Sequence, residues 1–281
     1  LAITTSNNQN NQDVIHDSNC NTYVVWNDDR NGNQDVYYEK FDTTPVSQWS
    51  GSKKLSTDAE SADQTLPQIK YGTSPPFAYI IWLDTRDSGT DIYAQKINHS
   101  TGALFWSPEK KINLYNGSAS VQNKPRIQID STDDLNFVWQ DSRNGNNDIF
   151  AQKMDKNGNI LWGSDIKINS DTSTTDQLKP SFAISSTTPS YLYVVWQDNR
   201  GGNYDIYMQK YDPSGTKIWS NDLKVNSDTG SASQENPVIT EDNNGKLYVV
   251  WQDNRNGNYD IYMQKIDCGF GFVYPRTSTR N

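Results

Sequence analysis

The chain has 281 residues, 33% of them hydrophobic and 12% aromatic, and a formal net charge of −9. That charge, with Lys and Arg spread evenly, excludes a nucleic-acid backbone as partner, because such binders need a basic stripe. The nine Trp and sixteen Tyr exclude disorder, and no apolar run of about 18 residues is present to span a membrane as a helix. Asn, Asp, Ser, Thr and Gly separate short β-branched and aromatic runs, which predicts many short strands joined by tight turns. The chain opens at Leu1 with no apolar signal core, as expected of a mature or trimmed product. Asn-x-Ser triplets stand at Asn98 and Asn116 and carry little weight in so Asn-rich a sequence.

In chain order, Leu1–Ser6 reads as a short strand similar to later segments such as Leu223-Lys-Val-Asn-Ser-Asp228. Five units follow, over residues 7–57, 58–115, 116–171, 172–228 and 229–267, and then a divergent tail, 268–281. Each unit opens on a Gln-x-x-Pro step, at Gln64/Pro67, Gln122/Pro125, Gln177/Pro180 and Gln234/Pro237, with Gln9/Gln12 a degenerate first copy. Proline suits the start of a strand, where no ladder N–H is lost. A second strand ends in Trp26, Trp82, Trp139, Trp196 and Trp251, spaced 56, 57, 57 and 55 residues apart. Two residues on stand Asp28, Asp84, Asp141, Asp198 and Asp253, then Arg30, Arg86, Arg143, Arg200 and Arg255. A Gly/Asn turn leads to a second Asp (Asp35, Asp91, Asp148, Asp205, Asp260) and a third strand reading Asp-Ile-Tyr-x-Gln-Lys. A further turn leads to a fourth, outer strand near Trp49, Trp106, Trp162 and Trp219, a position the last unit lacks. Residues 247–267 repeat 192–212 with two changes.

A fixed period of four-stranded units predicts an all-β, closed five-bladed β-propeller forming one domain over 1–281. Leu1–Ser6 is expected to pair with the strand around Asp260–Lys265 and so complete the last blade. An open solenoid would instead need polar caps at both ends. Cys20 and Cys268 fall in blades that a ring makes neighbours, so they form either a clasping disulfide or two thiols.

The recurring Trp/Asp/Arg set reads as scaffold, since a single active site would make one blade differ from the rest. The turn at Asp198–Asp205 offers oxygen ligands for Ca2+, but an Arg sits inside it and no bidentate Glu follows. No other cofactor or metal is implied. His16 and His99 are the only histidines; both are expected on surface turns or strand ends, leaving little for zinc or a His-dependent triad.

The residue after each Pro step varies most between units: Asp13, Gln68, Arg126, Ser181 and Val238. Asp13 and Arg126 are therefore candidate ligand-binding residues, with Glu60, Glu235 and Glu241 as further acids. The outer Trp49, Trp106, Trp162 and Trp219, flanked by Asn, Asp and Ser, suggest platforms for sugar stacking. Several weak sites on one rigid body would gain by multivalency against a glycan or cell-surface polymer.

The string Trp-x-Asp-x-Arg-x-Gly-x-x-Asp-Ile-Tyr, at 139–150, 196–207 and 251–262, resembles the β-propeller repeats of secreted and surface-layer-type bacterial and archaeal proteins. Asp155-x-x-Gly-x-x-x-Trp162 extends the likeness, which reaches to Asp267; Asn27, Glu39 and the shifted Gly89 depart from it. The resemblance implies a secreted or cell-surface, non-catalytic binding or scaffold propeller, with carbohydrate the leading ligand class. The blade count is similar to that of tachylectin-type lectins. Two alternatives stand beside it. One is a glycoside hydrolase with paired acids at the channel mouth, the other a self-associating surface-layer or filament subunit.

Overall fold

The computed structural model describes residues 7–44, 46–57, 62–72, 77–87, 89–117 and 120–267. Among them no helix occurs, and short strands form five antiparallel sheets, none closing on itself. The first sheet orders β1 (Gln9–His16), β2 (Thr22–Asp28), β3 (Asp35–Phe41) and β4 (Lys53–Lys54). The second orders β5 (Gln64–Tyr71), β6 (Phe77–Asp84), β7 (Asp91–Asn98) and β8 (Ala103–Leu104), while β9 (Lys110–Lys111) also pairs β7. The third runs β10 (Gln122–Ile129), β11 (Leu135–Asp141), β12 (Asp148–Met154) and β13 (Ile166–Lys167). The fourth runs β14 (Gln177–Ile184), β15 (Leu192–Asp198), β16 (Asp205–Tyr211) and β17 (Leu223–Lys224). The fifth has β18 (Gln234–Glu241), β19 (Lys246–Asp253) and β20 (Asp260–Asp267), three strands among the described residues. Leu1–Ser6, the expected closing strand, and the tail with Cys268 lie outside the described residues.

Two compact units divide the chain, Leu1–Phe137 with Gln152–Ser164 and Val138–Ala151 with Asp165–Asn281. In the first, the face of sheet one carrying Val25, Val36, Tyr38 and Leu55 packs on Ile69, Ile80 and Trp82 of sheet two. In the second, Val195, Ile206, Met208 and Val225 of sheet four pack on Ile239, Val249 and Trp251 of sheet five. The same third-strand positions do the same work in both. A backbone stitch accompanies each contact: the N–H opening the next sheet donates to the residue before a third strand, Gln64 to Gln34 O at 2.7 Å and Gln234 to Tyr204 O at 2.7 Å.

The Trp-x-Asp-x-Arg string is a brace at each turn between second and third strands. Each aspartate is fully buried. Its Oδ2 accepts from the Trp indole, at 2.9 Å for Trp196 to Asp198, while Oδ1 accepts the backbone N–H of the following arginine, at 2.9 Å for Arg200. The guanidinium closes the set on Oδ2, at 2.5 Å in Arg143–Asp141 and likewise in Arg255–Asp253. It also lies over the third-strand aromatic ring, 4.0 Å from Tyr37 and 4.3 Å from Tyr262 for Arg30 and Arg255. The second Asp ties in the outer strand: Lys54, Lys111, Lys167 and Lys224 reach Asp35, Asp91, Asp148 and Asp205 at 2.7–2.8 Å. These contacts engage oxygens of Asp198 and Asp205.

Candidate active site

A bulge recurs in the first strands. In β1, β5, β14 and β18 the pairing with the second strand shifts between Asn10 and Asp13, Thr65 and Gln68, Leu178 and Ser181, and Glu235 and Val238. The residue before each Pro step sits in the left-handed region: Asn11, Leu66, Lys124, Lys179 and Asn236 have φ between 50° and 55°. For a residue with a Cβ this costs on the order of 1–2 kcal/mol. Part of the cost is offset by bonds from the second strand of the preceding sheet, since Gln140 Oε1 accepts from Lys179 N at 2.7 Å and Gln197 Oε1 from Asn236 N at 2.9 Å. A bulge of this kind re-aims the side chain that follows, and that side chain is the variable one.

In the first unit the inner strands β1, β5 and β10 pack side by side with β5 between the others. They bring Asp13, Gln68 and Arg126 to equivalent positions in one row. Asp13 is oriented by two donors, Val14 N on Oδ1 and Ile69 N on Oδ2, each at 3.0 Å. Arg126 is exposed to solvent, yet protein surrounds it closely enough for desolvation to lower its pKa, with the Asp13 charge opposing that shift. The other five described arginines all bind an aspartate. Arg126 has no such partner. In the second unit Ser181 repeats the Asp13 contact, accepting from Ile239 N at 3.4 Å, and Val238 is exposed. Glu235, one residue ahead of the bulge, accepts from Tyr259 OH at 3.0 Å, and Glu241 accepts from Ser186 N at 2.6 Å. Glu60 lies outside the described residues.

The outer tryptophans are engaged in packing, with Trp49 and Trp219 half-buried. Trp106 and Trp162 are buried. Trp49 packs against Tyr23 and Tyr38 and covers Gly102 of the neighbouring sheet, where a Cβ would come within 2.8 Å of the indole. Trp106 covers Gly158 in the same manner, and Trp219 packs on Tyr193. Gly102 and Gly158 thus leave room for a Trp of the neighbouring sheet. Cys20 is exposed in the turn between β1 and β2.

His99 is buried, contrary to the expectation for it, whereas His16 ends β1 exposed. Tyr23 OH donates to Asp17 Oδ2 at 3.0 Å and bonds His99 Nδ1 at 2.9 Å, and Tyr71 OH bonds His99 Nε2 at 2.7 Å. Burial, then the nearby Lys40 charge, lowers the imidazole pKa, with Asp17 opposing. This hydrogen-bonded network joins sheet one to sheet two, with Asp17 and Tyr71 a few residues past Asp13 and Gln68. Among the described residues no three acidic, His or Cys side chains converge as a metal set.

No protein-family model and no curated protein matches the sequence. Among solved structures, the chain is similar to an α-L-arabinanase of Penicillium chrysogenum complexed with arabinobiose, at 11% identity over 90% of this chain and 80% of that one, TM-score 0.56. It is similar to a protein of unknown function from Dyadobacter fermentans, at 6% identity over 95% and 82%, TM-score 0.60. A GH43 β-1,3-galactosidase with galactodeoxynojirimycin matches at 8% identity over 95% and 93%, TM-score 0.51. At these identities the likeness is one of fold, and the fold is an all-β propeller. It corrects the expectation of a non-catalytic binding or scaffold propeller: the neighbours with a named activity are glycoside hydrolases, the alternative the sequence had left open.

Proposed function

We propose that the chain is a glycoside hydrolase acting on a glycan outside the cell, with Asp13 as one of its acids. The observation that carries the reading is the row Asp13, Gln68 and Arg126, three different polar groups presented just past the left-handed Asn11, Leu66 and Lys124 of adjacent inner strands. Elsewhere the repeats spend their polar residues on bracing. The structural neighbours named as an arabinanase and a galactosidase support the reaction class. Glycoside hydrolysis needs a second carboxyl group to complement the first. Glu60, Glu235 and Glu241 are the further acids that the sequence offers for that role. Release of reducing ends from arabinan and galactan tests the proposal. Asp13→Asn should lower the rate at least ~100-fold, the range for loss of a positioned acid or base. No release from any glycan, or an unchanged rate in the variant, overturns it.

The same proposal includes a closed, five-bladed ring. Ile261 and Met263 are 69% and 57% exposed, whereas Ile206 and Met208 at the equivalent positions are fully buried against the following sheet. On the first sheet Val14 is 57% exposed where its equivalent Ile239 is 5% exposed. The two faces have the complementary residue types that pack together between sheets four and five. Among the described residues Asp260 has no outer-strand lysine, unlike its four counterparts, and β20 is a sheet edge. A closed ring would need a further strand at that edge, the part expected of Leu1–Ser6.

A further inference from the structure

Resting on the hydrolase reading, we propose that the glycan recognised at this row carries a carboxylate, as a uronic acid unit does, and that Arg126 is the residue that reads it. The argument is one of unspent chemistry. A guanidinium presents a planar fork of donors matched to a carboxylate; all five braced arginines bind one, Arg86 and Arg255 through two nitrogens. Arg126, on β10, has no hydrogen bond or ion pair among the described residues, although a carboxylate stands in the same row. Asp13 acts on it only through its charge, while its two oxygens accept from Val14 N and Ile69 N. Asp13 therefore leaves Arg126 open while reducing the cost of holding a cation in a partly desolvated place. Gln68, on the strand between them, likewise has a side-chain amide with no protein partner and can serve a sugar hydroxyl.

A neutral pentose or hexose would use Gln68 and Asp13 but would leave the guanidinium with water alone. An acidic sugar satisfies all three. One guanidinium pairs one carboxylate, so the unit recognised here is a single acidic sugar. A carboxylate seated on the fork orients its ring with the hydroxyls toward Gln68 and the glycosidic side toward Asp13. Arg126 is thus a specificity residue, with no part in bond breaking.

Binding separates this proposal from the hydrolase reading. The probes are galacturonate and glucuronate oligosaccharides, their methyl esters, and a sulfated galacto-oligosaccharide, titrated calorimetrically against the full chain. The intact chain should bind an acid form at least ~10-fold more tightly than its ester, equivalent to about 1.4 kcal/mol. Arg126→Gln should erase that difference while melting at the same temperature. Asp13→Asn should retain the preference for the acid even where turnover is lost, so a failed hydrolase reading leaves the binding result intact. Equal affinity for acid and ester, no binding of any uronate, a preference for the sulfated probe, or an unchanged preference in Arg126→Gln overturns the assignment.

Discussion

Ile69 N donates to Asp13 Oδ2 across 3.0 Å, so the carboxylate proposed for chemistry also fastens the second inner strand to the first. Ser181 makes the corresponding bond to Ile239 at 3.4 Å with a hydroxyl. Asp13→Ser should therefore keep the link between strands and melt within about 1 kcal/mol of the parent, because one neutral bond replaces another. The same variant should lose hydrolysis as fully as Asp13→Asn. Loss of activity accompanied by a large drop in melting temperature would mark Asp13 as structural.

The brace predicts a stability cost with a pH signature. Asp253→Ala strands the Trp251 indole and the Arg255 guanidinium, and should cost about 2–4 kcal/mol by denaturant unfolding. Burial pushes the Asp253 pKa up, but the Arg255 side chain and backbone bonds and the Trp251 and Gln234 bonds together bring it below 3.8. A depressed carboxylate contributes its full stability above the unfolded pKa and loses it as pH falls through the folded one. Asp253→Asn should accordingly weaken the protein at pH 6 and narrow the gap to the parent at pH 2–3, in urea titrations at both pH values.

His99 makes an opposite kind of test, near neutrality. Its depressed pKa means that the unfolded chain takes up a proton before the folded one does. Stability is then complete above about pH 6.5 and declines as pH falls below it, toward the folded value. Nδ1 must donate to Tyr23, whose own proton goes to Asp17, so Nε2 accepts from Tyr71. Protonating Nε2 forces the Tyr71 hydroxyl to turn away, with Lys40 adding repulsion. His99→Gln should flatten the stability profile between pH 5 and 7; a persisting slope of the same size would assign it to another group.

Closure is tested at the exposed ends of the stack. Ile261→Ser on an open face changes stability by no more than about 0.5 kcal/mol. If the face is covered as Ile206 is, the loss should reach about 2–4 kcal/mol. Removing residues 1–6 should also lower the melting temperature markedly. A neutral Ile261→Ser together with an unchanged transition on truncation would dismiss the ring.

The repeats were legible because their polar residues recur with their partners: Trp196, Asp198 and Arg200 lie within one turn and satisfy one another locally. The partner of Trp49 was not legible, since Gly102 lies a whole repeat away and an aromatic among Asn and Ser reads as surface. His99 was misread for the same reason; Tyr23 and Tyr71 reach it from two other strands. The variable inner position could be found by aligning the five Pro steps. What aims it could not, because left-handed Leu66 and Lys124 are unlike the Gly or Asn that usually announces such a turn.

The bulge divides labour within each first strand. Residues on either side of it are occupied in holding sheets together, while Gln68, Arg126 and Val238 just past it touch nothing that the scaffold requires. Exchanging these three side chains should alter what the protein selects at almost no cost to its folding. These positions thus serve as sockets on the inner strands, in which new specificity can be installed without redesigning the frame.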